Sequence, residues 1–410
     1  MRVRGPRGSA RRPCDARPAV RDGAGDPATR VRRSGTEPGD PATRVRRPGA
    51  RVRPNLHRSS TLELCTDEDA SAAFARRPVT VECMTTLQQA QQSLIFACDL
   101  SALGRDDTRL SRAAQHGTLT RVKQGVYLDR ALWVDLPADD RHRLLAVIAQ
   151  RVAGAGLVFS HQTAAALIGL PVLGRWPDRA HVLRECADGG RSTQLLVRHA
   201  IGVAGVPIDK RIGLTVTAPV RTVIDLAATL PFDAAVAATD AALLVDRRTG
   251  RCLTTREDVQ ELLERMAPFR GLRRVLAVLD ASTPLSESVG ESLCRIILAE
   301  LGFEAPELLV EFRDRQGLIG YADFTWRHAK TIAEFDGLIK YHDERFRHGQ
   351  SPSQVVVLEK LREDRLRALG FTVVRILWEH LVDPARLLQL LGDAGLLPVR
   401  TPRIIRHTGL

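Results

Sequence analysis

Residues 322–341 read ADFTWRHAKTIAEFDGLIKY, and the pattern of acids in this stretch sets the expected fold of the C-terminal part. An apolar-rich run carries Asp323, and a second, Thr331-Ile332-Ala333, delivers Glu334 and Asp336. Gly337 permits a sharp exit, and Lys340 follows. Two adjacent strands joined through residues 327–329 bring such carboxylates together, and period-2 alternation puts Glu334 and Asp336 on one face. Mg²⁺ takes oxygen ligands and keeps several waters, so two or three carboxylates suffice to hold it. The expected metal ligands are therefore Asp323, Glu334 and Asp336, with Mg²⁺ or Mn²⁺ as cofactor. Glu291, on a preceding helix, completes or orients the set. Lys340 is positioned to stabilise developing negative charge. A metal there polarises a phosphate and activates water, the chemistry of phosphodiester cleavage.

Outward from this stretch, helices are expected over 287–301, 351–369 and 381–391. Strands are expected over 308–312, 318–326, 330–335 and 372–377. The order αβββαβα implies a mixed sheet flanked by helices. Ordered residues from Glu291-Ser292 and Arg295, through Asp323-Phe324 and Glu334-Phe335-Asp336-Gly337, to Glu359, Arg362, Leu366, Gly370 and Val373-Val374-Arg375 carry a resemblance. This string resembles the very-short-patch-repair-endonuclease-like domain of the PD-(D/E)XK nuclease superfamily, over residues 284–395. The resemblance implies Asp323 and Glu334 as metal ligands and Glu291 as the helix acid. Relatives often have His just after the Asp-Gly pair, where this chain runs on to Lys340, and Glu359 replaces a more usual Asp.

Upstream, helices are expected over 87–100 and 106–116, then a strand over 117–122, a Lys123-Gln124-Gly125 turn and a returning strand over 126–128. The glycine suits a three-residue hairpin loop. This is the outline of a winged helix-turn-helix over 84–132. Arg105, Arg109 and Arg112 would project from its recognition helix, Arg121 and Lys123 from its wing, all toward double-stranded DNA. Leu103-Gly104, the motif Gly117-x-Leu119-x-Arg121-Val122-x-x-Gly125-Val126-Tyr127, Ser160-His161 and Pro219-x-Arg221-Thr222-x-x-Asp225 resemble the AbiEi-type antitoxin family. That resemblance implies transcriptional autoregulation and a toxin-like protein partner.

Residues 133–281 read as mixed α/β. Ser160 is expected to cap the helix beginning there, and Arg221 and Asp225 form an i,i+4 pair. His161, His199, Arg221 and Asp225 accompany no nucleophile at a recognisable spacing, so they are read as capping groups that tie helix to sheet. Residues 254–278 are expected to form one helix.

Residues 1–83 differ in kind. GDPATRVRR occurs at 25–33 and again at 39–47, and no apolar periodicity is present. Such composition does not bury enough surface to offset ordering entropy. These residues are expected to be a disordered leader, with Met84 as the expected translation start. They hold 18 Lys/Arg and 10 Asp/Glu, so most of the net charge of +12 lies there and argues little about the folded part. No run of about 18 apolar residues suggests a membrane span. The seven cysteines form no metal-binding spacing and are read as reduced thiols in a cytoplasmic protein. With only 4% aromatic residues, no stacking platform for single strands is evident. The fold class is thus α/β multidomain: a winged helix, a mixed middle domain and an endonuclease-like domain. The function expected is a DNA-binding, Mg²⁺-dependent endonuclease of defence or repair. The alternative is a non-enzymatic AbiEi-like regulator or antitoxin with a degenerate nuclease fold.

Overall fold

The computed structural model describes residues 81–102, 108–154, 156–185, 192–337 and 352–403, with backbone only at 81–85 and 352–356. All belong to the compact unit Thr66–Leu410. Residues 1–80 of the expected leader, Arg105 and Lys340 lie outside the described residues, whereas residues 81–83, expected to belong to the leader, open a helix. The architecture is mixed α/β, and the described residues form three sheets of three, five and four strands.

The first sheet is built from α1 (Val81–Gln92), β1 (Ile95–Phe96), α2 (Ala97–Ala102), α3 (Thr108–Gln115), β2 (Leu119–Lys123) and β3 (Val126–Asp129), in strand order β1-β3-β2. The helix expected over 87–100 is interrupted, because Ile95 and Phe96 pair with Tyr127 and Val126. Leu87, Phe96, Val126 and Leu128 share a core with Leu144 and Ile148 of α5 (Ala138–Ala153). Between them, α4 (Arg130–Asp135) starts at Asp129, whose carboxylate accepts the Ala131 N–H.

The second sheet contains β4 (Val158–Phe159), β5 (Ala180–Arg184), β6 (Leu196–Ala200), β7 (Ile208–Arg211) and β8 (Leu214–Thr217), in order β6-β5-β4-β8-β7. α5 and α6 (His161–Ile168) pack on it through Ala146, Ala149, Ala164 and Leu167. Ser160 stands at the helix-start position, yet its hydroxyl makes no capping bond to the backbone. It meets His161 Nδ1 at 2.9 Å instead. A helical layer follows: α7 (Pro219–Thr229), α8 (Phe232–Leu243), α9 (Arg256–Arg265) and α10 (Leu272–Ala281). The single helix expected over 254–278 is thus two, broken where Pro268 and Gly271 fall between them. Proline removes a helix donor, and Gly271 takes φ 104° at the start of α10.

The last sheet follows α11 (Val289–Glu300): β9 (Glu307–Asp314), β10 (Gly317–Trp326), β11 (Thr331–Phe335), α12 (Pro352–Ala368), β12 (Thr372–Ile376), α13 (Trp378–Val382) and α14 (Pro384–Asp393). The strand order is β12-β11-β10-β9, with β11 and β12 parallel and the other pairs antiparallel. The closing helix expected over 381–391 is split by Pro384. One face buries Phe324, Trp326, Ala333, Phe335 and Ile376 against α11 and α14. The other buries Ile319, Ala322, Ile332 and Val373 with Leu366 of α12.

Gly290 sets the approach of α11 to β11. A methyl group at Gly290 would lie 2.0 Å from the Phe335 ring. Phe335 is 5% exposed and walled in by the core, so the ring has little room to yield. Gly290→Ala is expected to destabilise the protein by about 1–3 kcal/mol, the usual cost of overpacking. A calorimetric melting temperature equal to that of the parent would show that the helix shifts at no cost.

Candidate functional site

The register Phe324↔Ala333 sets Asp323 across from Glu334, as two acids on consecutive strands should be. Here the side chain of Asp323 enters the ladder: its Oδ2 accepts the Phe335 backbone N–H at 2.8 Å. Glu334 is held by a different partner. Arg362 of α12 donates to both of its oxygens, at 2.6 and 3.0 Å, and also to the Tyr321 carbonyl at 2.7 Å. Such a fork-on-carboxylate pair is short, directional and strong. Burial works against the charge on Arg362, but Glu334 and Glu359 more than offset it and hold the guanidinium above its ordinary value.

Asp336 sits one residue past β11. Its N–H donates to the Ile376 carbonyl and its Oδ2 accepts from Arg375 at 3.2 Å. Arg375, beside Glu334 in the parallel register, also donates to Glu359 at 3.1 Å and Glu363 at 3.0 Å. Two arginines and four carboxylates therefore form one network joining β11, β12 and α12. Asp336 Oδ1 is buried without a hydrogen-bond partner.

Glu291 acts on its own helix. Ser288 accepts the Glu291 N–H at 3.2 Å, while Glu291 accepts from the Glu287 N–H and the Ser288 hydroxyl, both at 2.7 Å. This reciprocal arrangement satisfies donors that a helix start leaves open. Cys294, one turn on, is fully buried, and its thiol is pushed well up by burial and then by the charges of Asp323 and Glu291.

The residues therefore fit Mg²⁺ poorly. Octahedral oxygen coordination needs free carboxylate oxygens, whereas Glu334 and Glu291 each use both oxygens in bonds to the protein. Among the described residues, the acids form no group of three with ligand atoms close enough to share an ion. The ligand set expected from Asp323, Glu334 and Asp336 is thus not assembled in this arrangement. The physical reason is that Arg362 takes both oxygens of Glu334, Arg375 pairs with Asp336, and Asp323 is turned to the Phe335 N–H.

At the other end of the chain, Leu110 turns inward from α3 while Arg109 and Arg112 are exposed. Arg121 is exposed on β2. None of these three has a carboxylate partner among the described residues. Ser111 and the buried Tyr127 meet through their hydroxyls at 3.4 Å, holding α3 against the hairpin. Lys123 departs from expectation: its ammonium donates to the Asp178 carbonyl, so it braces the hairpin against the loop before β5 rather than reaching outward.

No protein-family model matches the chain. Two Mycobacterium tuberculosis proteins, from strains CDC 1551 and H37Rv and both described only as uncharacterized, are similar to it. Each is 26% identical over 280 residues, covering 68% of this chain and 93% of the relative. No described helix is long and apolar enough to cross a membrane.

Two features escape a reading of the sequence. Arg362 stands in the ordered string of the C-terminal domain, but nothing along the chain shows that it grips Glu334. His181 lies on a short β-strand, far along the chain from His161 and His199. It becomes notable when the sheet sets it beside His161 and His199.

Proposed function

We propose that this chain is a duplex-DNA-binding protein that makes contact through α3 and the β2–β3 hairpin, and whose nuclease-like C-terminal domain serves as scaffold rather than as a hydrolase. The observation that carries the reading is the trio Arg109, Arg112 and Arg121: exposed, without carboxylate partners among the described residues, and presented by a helix and a hairpin packed on one another. The element order α1-β1-α2-α3-β2-β3 with strand order β1-β3-β2 supports a winged helix. Unpaired arginines favour phosphate contact because each releases counterions on binding. The AbiEi-like regulator, with a toxin-like protein as partner, belongs to this reading. The order α11-β9-β10-β11-α12-β12 supports the endonuclease-like fold, and the arginine-bound acids support its loss of metal chemistry.

A second reading, a Mg²⁺-dependent endonuclease, is favoured by one observation: Asp323 and Glu334 face one another across β10 and β11. One experiment separates the two. Full-length protein is titrated with labelled duplex over a range of salt, beside a variant with Arg109, Arg112 and Arg121 all changed to Ala. The expected result is salt-dependent binding whose log–log slope falls by about one for each arginine that meets a phosphate in the parent. Unchanged affinity and slope in the variant would remove the proposed surface. Plasmid DNA is then incubated with Mg²⁺ or Mn²⁺, where no cleavage is expected. Cleavage abolished by Asp323→Ala would establish the endonuclease reading instead.

A further inference from the structure

Three histidines meet at one end of the five-stranded sheet. His161 opens α6 directly after β4, His181 is in β5 and His199 in β6. The Ser160 N–H donates to the His181 carbonyl, and β5 and β6 run parallel, so the three side chains are brought together by the sheet itself. One ring nitrogen from each lies within 4.8 Å of the others. His199 Nε2 and His181 Nδ1 are 3.2 Å apart. Two nitrogens bound to one tetrahedral zinc, each at about 2.0–2.1 Å, are about 3.3 Å apart.

Three further observations point the same way. His161 Nδ1 faces the Ser160 hydroxyl at 2.9 Å and Asp225 Oδ2 at 3.9 Å, which leaves Nε2 for a ligand. Asp225 is buried and anchored through Oδ1 by Arg221 at 2.8 Å, while its Oδ2 has no hydrogen-bond partner. A carboxylate behind the non-ligating nitrogen is what fixes a metal-binding imidazole in orientation and tautomer. The His161 backbone has φ 51°, a conformation that L residues seldom adopt and that persists only where the surroundings impose it. Burial first, then the neighbouring imidazoles, hold His161 well below the ordinary histidine value and bring His181 to about 3, and burial lowers His199.

We propose that His161, His181 and His199 form a binding site for a late first-row divalent metal, zinc by preference, with Asp225 orienting His161. Imidazole nitrogen suits zinc, cobalt, nickel and copper, and does not suit the hard cation Mg²⁺. Binding draws the three nitrogens together and turns the His161 ring out of its stack on His199, where the centroids are 3.6 Å apart and the planes 12° off parallel. The site is independent of the C-terminal carboxylates and of the proposed DNA surface.

The test titrates metal-free full-length protein with Co²⁺, followed by displacement with Zn²⁺, with Mg²⁺ as control. One equivalent of Co²⁺ is expected to give the visible absorption of a tetrahedral site, which Zn²⁺ removes and Mg²⁺ does not. Zn²⁺ is also expected to raise the melting temperature, since a ligand bound only by the folded state stabilises it. His181→Gln and His199→Gln are each expected to weaken binding at least about 10-fold. His199→Cys should retain Co²⁺ and add a thiolate charge-transfer band, which a merely structural histidine would not produce. No visible absorption in the parent overturns the proposal. Unchanged binding in both Gln variants, or no new band in His199→Cys, overturns it equally.

Discussion

Arg362→Met is expected to lower stability by about 3–5 kcal/mol, because it strands a buried carboxylate. The Glu334 side chain is 11% exposed and Arg362 23%, so water offers little replacement for either partner. In the variant Glu334 loses both hydrogen bonds from the guanidinium, and the Tyr321 carbonyl loses a third. Urea denaturation of the full-length protein should report the change as a lower midpoint at constant slope. The double change Arg362→Met with Glu334→Leu should recover much of the loss, since an apolar pair of similar volume tolerates this setting. A single-variant loss below about 1 kcal/mol would place the pair among exposed ion pairs of little consequence. It would also mean that Glu334 is freer to meet a metal than its contacts indicate.

A second large effect is expected at Arg295, on the buried side of α11. Its guanidinium donates to Asp240 of α8 at 2.7 Å and to the Ala281 carbonyl at 2.5 Å. Asp240 is 1% exposed and also accepts the Thr283 N–H at 2.7 Å. Burial raises the carboxyl pKa of Asp240, and Arg295 acts against that rise. Arg295→Met removes the opposing charge, at an expected cost of about 3–5 kcal/mol at neutral pH. The sign of the pH dependence identifies the cause. A carboxyl whose folded pKa lies above its unfolded value binds more protons when folded, so its deficit shrinks as pH falls. The gap between variant and parent should therefore narrow from pH 7 to pH 5. A constant gap would mean that the loss is one of packing alone.

Much of this protein is legible as sequence. Alternation and turn residues locate the strands around Asp323 and Glu334, the glycine turn of the β2–β3 hairpin, and the Arg221–Asp225 pair, which forms at 2.8 Å. These are local signals, carried by neighbours in the chain. The errors are local too: Phe96 is drawn from a helix into a strand, and residues 266–271 break a helix that periodicity runs through. In both, a non-local partner or a backbone constraint outweighs propensity.

The site is where chain and fold part. The order of residues is enough to crowd acids at the ends of β10 and β11, to carry exposed arginines from a helix into a hairpin, and to run the C-terminal elements as α, three strands, α, strand. What those acids touch follows from folding. Arg362 stands 28 residues from Glu334 along the chain and Arg375 further still, yet one bonds its carboxylate and the other pairs with its backbone position. The same holds for His161, His181 and His199, which become one cluster only when the sheet closes. Side-chain type can be read along a chain. Which charge is neutralised, and which nitrogen is left free, depends on distances that folding sets.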